Sequence, residues 1–196
     1  FSSFVSRKNP WGAIEAFRRA FSSGEQDVGL VIKCFDGHRH PETLARLQRL
    51  ADEDSRILIV DRHLSREQMY GLQSLCDAYV SLHRAEGLGL GMAECMALGK
   101  PVIGTAYSGN LEFMNRENSC LVDYSLIPVK PGDYIYYEGG WMWADPDLDD
   151  AARYMRKLVN DPEYRQRIAS RAAADIAAHY SQEVMGRAIS KRLSVL

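Results

Sequence analysis

Over the first two thirds of the chain, short apolar runs alternate with amphipathic stretches, and few architectures satisfy that order. The runs lie at 29–34 (GLVIKC), 56–60 (RILIV), 78–82 (AYVSL), 101–104 (PVIG) and 120–122 (CLV). They are rich in Val, Ile and Leu and lack polar–apolar alternation, the pattern of strands buried on both faces of a parallel sheet. Helical spacing occupies 11–22, 41–51, 66–75, 90–98 and 111–114 between them. A βαβα order predicts α/β architecture: a doubly wound parallel sheet, helices on both faces and right-handed crossovers. The helix ends carry their own chemistry. Ser65 with Gln68 three positions on reads as a capping box, and Pro41 suits a first helical position. Gly99 after Leu98 reads as a C-cap, and Lys100-Pro101 stops any continuation.

Past residue 122 the pattern changes. Residues 123–143 hold three glycines, two prolines and four tyrosines with little apolar periodicity, which predicts an irregular ordered loop over 123–146. Residues 147–196 read as C-terminal helices, broken at Asp161-Pro162. Ser181 is placed to cap the last of them, whose Val184, Ile189 and Leu193 share one side. The 196 residues suit one domain, 1–122 forming its βα core. The chain starts at Phe1 without an initiator Met and reads as a piece of a longer protein. Its 24 basic against 26 acidic residues make no broad field, so nucleic acid and anionic membrane are not expected partners. No apolar run is long enough to cross a bilayer and no export leader opens the chain. Cys34, Cys76, Cys95 and Cys120 form no C-x-x-C pair and read as small buried hydrophobes in a reducing cytoplasm.

In open α/β sheets, ligands lie beyond the carboxyl ends of the strands. The densest polar segment at such a place follows the third run: His83, Arg84, Ala85, Glu86, Gly87, Leu88, Gly89, Leu90, Gly91. Glycines at 87, 89 and 91 leave amides open, and a helix starting near Gly89 offers unpartnered N–H groups and a positive dipole end to phosphate oxygens. On one continuous helix Glu86 and Glu94 would stand about 80° and 12 Å apart. With Glu86 in the loop and Glu94 in the second turn, Glu94 leans back toward the same crevice. Two acids flanking such a helix end fit a ligand bearing both hydroxyls and phosphates. The phosphates call for a cation, and Lys8 beside Arg7 follows what would be a strand ending at Phe1. Lys33 ends another run, but reads as a solvated surface lysine.

The segments RKNPWGAIEAF, SLHRAEGLGLGMAECMALGKPVIGT and YSGNLEFM together resemble the donor-binding half of GT-B glycosyltransferases, specifically glycosyltransferase family 4. Its Glu-x7-Glu motif is matched by Glu86 and Glu94, and its basic first-loop residue by Lys8. The likeness runs from Phe1 to about Leu126, then continues loosely through WADPDLDDAARYMRKL. It departs from the family upstream of Lys8, where serines stand in place of an Arg or Asp. The resemblance implies a Rossmann-like domain, one half of a GT-B fold, whose N-terminal acceptor domain is absent from this sequence. It implies a cytoplasmic, retaining hexosyltransferase of polysaccharide biosynthesis, using a UDP- or GDP-sugar and a saccharide or lipid-linked acceptor. No metal or other cofactor is expected, any membrane contact would be peripheral through the absent domain, and the isolated domain would be inactive.

By position, the resemblance gives Lys8 and Glu86 the catalytic places. Lys8, with Arg7 nearby, would neutralise the diphosphate, and Glu86 would sit by the donor sugar. Amides at Gly87, Leu88, Gly89 and Leu90 would hold phosphate oxygens, and Glu94 would take the ribose hydroxyls. Leu64, with Arg62 and His63, would border the base. Tyr107, Ser108, Gly109 and Asn110 would line the sugar side, with His83 near the sugar. Blander readings stand beside these. Glu94 could be a solvated helix carboxylate, Glu86 a loop ion pair with Arg84, His83 a strand-end ring bonded to backbone, and 107–110 a turn capping the next helix.

Two D-x-D-type triplets, Asp52-Glu53-Asp54 and Asp145-Pro146-Asp147, raise the question of a divalent ion. The first lies at the wrong end of a strand and the second reads as a helix cap. Other function classes fit less well. Gly87-x-Gly89-x-Gly91 is not the dinucleotide fingerprint and lies late in the chain, against a nicotinamide-dependent oxidoreductase. A noncatalytic nucleotide-sugar-binding module shares every donor-side expectation.

Overall fold

A computed structural model describes residues 5–134 and 136–195; the strand expected to end at Phe1 lies outside them. Among these residues the order begins α1 (Val5–Lys8), α2 (Pro10–Ala20), β1 (Leu30–Cys34), α3 (Pro41–Asp52), β2 (Ile57–Asp61) and α4 (Arg66–Leu75). It continues through β3 (Tyr79–Ser81), α5 (Leu90–Ala97), β4 (Val102–Thr105) and β5 (Cys120–Val122). A hairpin of β6 (Tyr124–Pro128) and β7 (Met142–Pro146) leads to α6 (Leu148–Asn160), α7 (Pro162–Tyr180) and α8 (Gln182–Leu193).

The first five strands pair in parallel as two pieces, β1–β2 and β3–β4–β5. The strands separate two cores, as period-two side-chain direction requires. Ile103 of β4 with Cys120 and Val122 of β5 face Ile14 and Phe17 of α2 and Ala151 and Met155 of α6. Their neighbours Val102 and Leu121 face the other way, onto Met92 and Met96 of α5 and Ala172 and Ile176 of α7. Helices therefore cover both faces, as the doubly wound reading expects, and each fully buried Ile or Leu among these contributes roughly 1.5–3 kcal/mol.

Several boundaries follow from local chemistry. The Ser65–Gln68 capping box is formed in both directions and starts α4. Gly99 takes φ +69° just past α5, where its amide bonds the Met96 carbonyl. Asp161 separates α6 from α7, and Ser181 caps α8 through the Val184 amide. Asp147 caps α6, accepting from the Asp149 and Asp150 amides. An Asp147→Ala variant is expected to lose about 1 kcal/mol, read as a drop of roughly 2–4 °C in thermal melting.

Three expectations need correction. The segment 123–146 is not irregular throughout: its ends pair as the antiparallel β6–β7 hairpin, Tyr124 opposite Pro146 and Pro128 opposite Met142. The helix expected at 111–114 is a 3-10 turn over Gly109–Glu112. Cys76 is only half-buried, whereas Cys34, Cys95 and Cys120 are buried, and all four are free. On α8, Ile189 and Leu193 share one side as expected and are exposed among the described residues.

Candidate functional site

The loop after β3 is built on a buried polar hub. His83 is fully buried, with Nδ1 3.0 Å from the Ser81 hydroxyl and Nε2 3.1 Å from Asn110 Oδ1 and 3.2 Å from the Tyr107 carbonyl. Because the Asn110 amide group donates to the Thr105 carbonyl at 3.0 Å, its Oδ1 is the acceptor. The network therefore assigns the proton to Nε2 and makes Nδ1 the acceptor from Ser81. Thr105 in turn donates its hydroxyl to the His83 carbonyl at 2.7 Å. Burial pushes the His83 pKa below its usual 6.5 and favours the neutral ring. These two residues, expected to face the sugar, are instead turned inward: His83 and Asn110 carry the 107–110 loop from beneath.

That loop then clasps the next one. The Glu86 amide donates to Ser108 Oγ at 2.7 Å, and the Gly109 amide donates to the Glu86 carbonyl at 3.0 Å. The approach is close enough that a Cβ on Gly109 would fall 1.8 Å from the Gly87 carbonyl oxygen. Ser108 itself takes φ +76°. Gly89, at φ +90°, is the N-cap of α5, and a Cβ there would lie 2.4 Å from the Met92 methyl. The left-handed conformation that glycine tolerates thus starts α5 at the place the glycine pattern predicts. Leu88 and Leu90 project outward, exposed, beside the amides that begin the helix.

On the other side stands the α1–α2 corner. Lys8 ends the short helix α1, not a loop. Asn9 is buried in the left-handed region, donates to the Leu82 carbonyl at 2.9 Å and accepts from the Gly12 amide at 3.2 Å. It both caps α2 and ties the corner to the end of β3. The sequence reading passed over Asn9, although an Asn directly before a Pro at a helix start is a recognisable cap signal. The Arg84 amide donates to the Arg7 carbonyl at 2.8 Å, and Arg7 donates to the Ala85 carbonyl at 2.7 Å. Lys8 then reaches Glu86 Oε2 at 2.5 Å, with Arg7 3.4 Å from the same oxygen.

Glu86 is therefore an ion-paired loop carboxylate, but its partners are Lys8 and Arg7. Arg84, the partner the local sequence suggested, pairs with Asp145 of β7 at 3.0 Å. Partial burial works to raise the Glu86 pKa, yet the Lys8 hydrogen bond and the two positive charges prevail and hold it below the usual range. The carboxylate stays ionised through neutral pH and holds two cations beside the amino end of α5. Those cations, α5's leading N–H groups and the dipole give this corner a positive, donor-rich face suited to an anion.

The remaining expected residues occupy the same end of the strands without joining that ion pair. Glu94 sits in the second turn of α5 and accepts from Gln73 Nε2 of α4 at 3.4 Å, while Gln73 Oε1 is buried without a partner. Leu64, half-buried, lies between β2 and the α4 cap, beside His63, which contacts Asp36. Tyr107 lies against Tyr124 with ring centroids 5.0 Å apart. Lys33 bonds its neighbour's carbonyl.

Four carboxylates of the two triplets have other partners: Asp54 pairs with Arg56, Glu53 with Arg18, Asp145 with Arg84, and Asp147 caps α6. Among the described residues, no group of three or more metal-ligating side chains is gathered in one place. A cavity of about 430 Å³ lies elsewhere, between Phe21 and Arg56 at the start of β2. The Arg56–Asp54 and Arg18–Glu53 pairs line it and neutralise one another, and it holds none of these site residues.

Comparison with known proteins identifies the family and the fold. The family model for glycosyl transferases group 1 matches residues 1–175. No curated protein sequence matches the chain, but solved structures do. HepE from Anabaena in complex with UDP superposes with a TM-score of 0.74 at 20% identity, over 100% of this chain and 48% of that one. Sucrose-phosphate synthase from Thermosynechococcus elongatus gives 0.65 at 19% identity, over 97% and 44%. WaaG, described as a glycosyltransferase involved in lipopolysaccharide biosynthesis, gives 0.63 at 18%, over 92% and 41%. The chain spans about half the length of the solved structures it matches, one half of a GT-B fold. With a family match running through the α1 corner, the Glu86 loop and the helix after it, the chain belongs to the glycosyl transferases group 1, glycosyltransferase family 4.

Proposed function

We propose that the chain is the donor-binding domain of a retaining, metal-independent glycosyltransferase. It holds a UDP- or GDP-sugar whose hexose moves to a saccharide or lipid-linked acceptor bound by another part of the protein, at the cytoplasmic face of the membrane. No helix among the described residues is long and apolar enough to cross the bilayer itself. The observation that carries this reading is the convergence of Lys8 and Arg7 on Glu86 beside the amino end of α5. HepE, which shares the fold, has been seen with UDP and with UDP-glucose.

In the reaction the lysine and the helix end stabilise the departing diphosphate as its charge grows, which is electrostatic catalysis that needs no side-chain nucleophile. Amides at Gly87, Leu88, Gly89 and Leu90 hold phosphate oxygens, and the Ser108 hydroxyl, which accepts from the Glu86 amide, keeps its own proton to donate to a sugar oxygen beside Gly109. Leu64 borders the base. Glu94 accepts from the ribose hydroxyls, with Gln73 behind it limiting its rotation. Glu86, Lys8 and Arg7 are already in contact, so the cations are positioned before the donor arrives and little ordering is left for binding to accomplish.

Calorimetric titration with UDP and GDP tests this. Saturable binding of at least one is expected, and the Glu94→Ala variant should bind it about 1–3 kcal/mol more weakly, roughly 5- to 150-fold. Unchanged affinity in a folded variant rejects the ribose role, and no binding of either nucleotide rejects the donor reading. The chain alone is expected to show no sugar transfer.

A further inference from the structure

The β6–β7 hairpin starts at the carboxyl end of β5, with Asp123 as its sole linking residue, so it rises at the end of the sheet where the Glu86 loop lies. Three contacts fasten it to that loop. The Ala144 amide donates to the Arg84 carbonyl at 2.9 Å, the Arg84 guanidinium pairs with Asp145, and the same guanidinium covers the Trp143 ring at 5.5 Å. Tyr124, at the base of β6, lies against Tyr107 of the clasp.

The far end of the hairpin has a composition no core requires. Tyr134 lies 5.9 Å from Tyr136 and 6.1 Å from Trp141, and Tyr137 lies 6.3 Å from Trp141. Tyr136 is 65% exposed and Trp141 41%. Backbone contacts join described residues at this end. Val129 donates to the Trp141 carbonyl, a turn closes between Lys130 and Asp133, and Gly132, Gly139 and Gly140 take positive φ. From Asp145 back to Met142, where β7 begins, is three strand residues, about 10 Å, and Trp141 is the next residue toward the tip.

We infer that this ring cluster is a saccharide platform, the C-terminal half's own contribution to holding an acceptor sugar; the inference rests on the donor reading above. A pyranose presents a face of C–H groups and a rim of hydroxyls. Aromatic faces are electron-rich and attract the first, while the exposed Lys130, Tyr136 and Glu138 carry polar groups for the second. The charges argue against an anionic membrane, since one lysine stands against two carboxylates, Asp133 and Glu138. Exposed aromatic surface of this kind is a candidate binding surface, and the strand that leads to it is fastened to the Glu86 loop through Arg84.

The test is nitrogen-15 NMR on the whole 196-residue chain, first saturated with UDP, then titrated with methyl α-glucoside, maltose and N-acetylglucosamine in turn. Of the indole signals from Trp11, Trp141 and Trp143, that of Trp141 should move with at least one saccharide. Tyr136→Ala should weaken the response about three- to tenfold, and Trp141→Ala should remove shifts from neighbouring tip amides without altering UDP affinity. A platform is overturned if UDP binds and none of the three sugars shifts the tip, or if the tip shifts survive Trp141→Ala. It is also overturned if sedimentation shows the chain dimerising through the rings, wild type but not Trp141→Ala. If UDP fails to bind while the sugars still move Trp141, the donor reading falls and saccharide binding by the tip stands.

Discussion

A Gly109→Val variant is expected to lose the UDP binding proposed above and to melt well below the parent chain. The reason is a contact between backbones. A Cβ at this position would sit 1.8 Å from the Gly87 carbonyl oxygen, with the Glu86 carbonyl 3.0 Å away, and neither is the yielding tip of a side chain. The clasp must open, breaking the Gly109 amide bond to the Glu86 carbonyl and the Glu86 amide bond to Ser108. Glu86 then leaves Lys8, and the entrance to α5 shifts. Overpacking of this kind costs about 1–3 kcal/mol, roughly 3–10 °C in a domain this size, while loss of the cradle removes nucleotide binding. Gly87→Ala is the control, because a Cβ there meets nothing within 4 Å; it should melt with the parent. Calorimetry and a thermal melt on both variants decide the matter, and a Gly109→Val chain that binds UDP normally would show that the clasp does not shape the site.

A His83→Ala variant is expected to be destabilised by about 3–5 kcal/mol, with a flatter dependence of stability on pH. The ring's removal leaves Ser81 and the buried Asn110 Oδ1 without their partner, each loss costing about 1–3 kcal/mol, and leaves a cavity besides. The pH effect follows from burial. The folded-state pKa of His83 is held below 6.5, so the unfolded chain takes up the proton first as pH falls. The stability that neutral His83 contributes is complete above about pH 6.5 and drains away as the pH drops toward the folded-state value. Denaturant melts at pH 7.5 and 5.5 should therefore differ more for the parent than for His83→Ala. Equal pH slopes in the two chains would mean that the buried imidazole is not the titrating group.

Much of the fold was legible because its causes are local. The α4 boundaries, Arg66–Leu75, follow from a capping box and a hydrophobic period within ten residues, and β5 follows from three consecutive apolar residues. The hairpin was not legible. Four of five β6 residues are exposed, so hydrophobic pattern carries little signal there, and its Pro and Gly content reads as loop. On α8 the apolar periodicity is clear, but periodicity does not say whether anything packs against it, and Ile189 and Leu193 are exposed.

For the site, the glycine spacing located the start of α5, and the carboxyl-end rule pointed to the loop in which Glu86 meets Lys8 and Arg7. Ion-pair partners were another matter. Glu86 has Arg84 two residues away, yet its cations come from Lys8 and Arg7, 78 and 79 residues distant. Arg84 is held 61 residues downstream by Asp145. Likewise, nothing in a histidine and an asparagine at strand ends distinguishes a pair facing a ligand from a pair buried beneath it.

From the amino-acid order alone came the α/β layering, the helix caps, the glycine cradle and the family resemblance, because each rests on hydrogen-bonding and burial patterns that close within one or two turns of chain. The tertiary structure alone decided which charges meet, that His83 and Asn110 support the clasp from inside, and that the late aromatic segment folds back against the Arg84 loop. Those outcomes depend on which surfaces are brought together when the cores form. Side chains far apart in sequence then compete for the same partner, and geometry, not spacing, chooses among them.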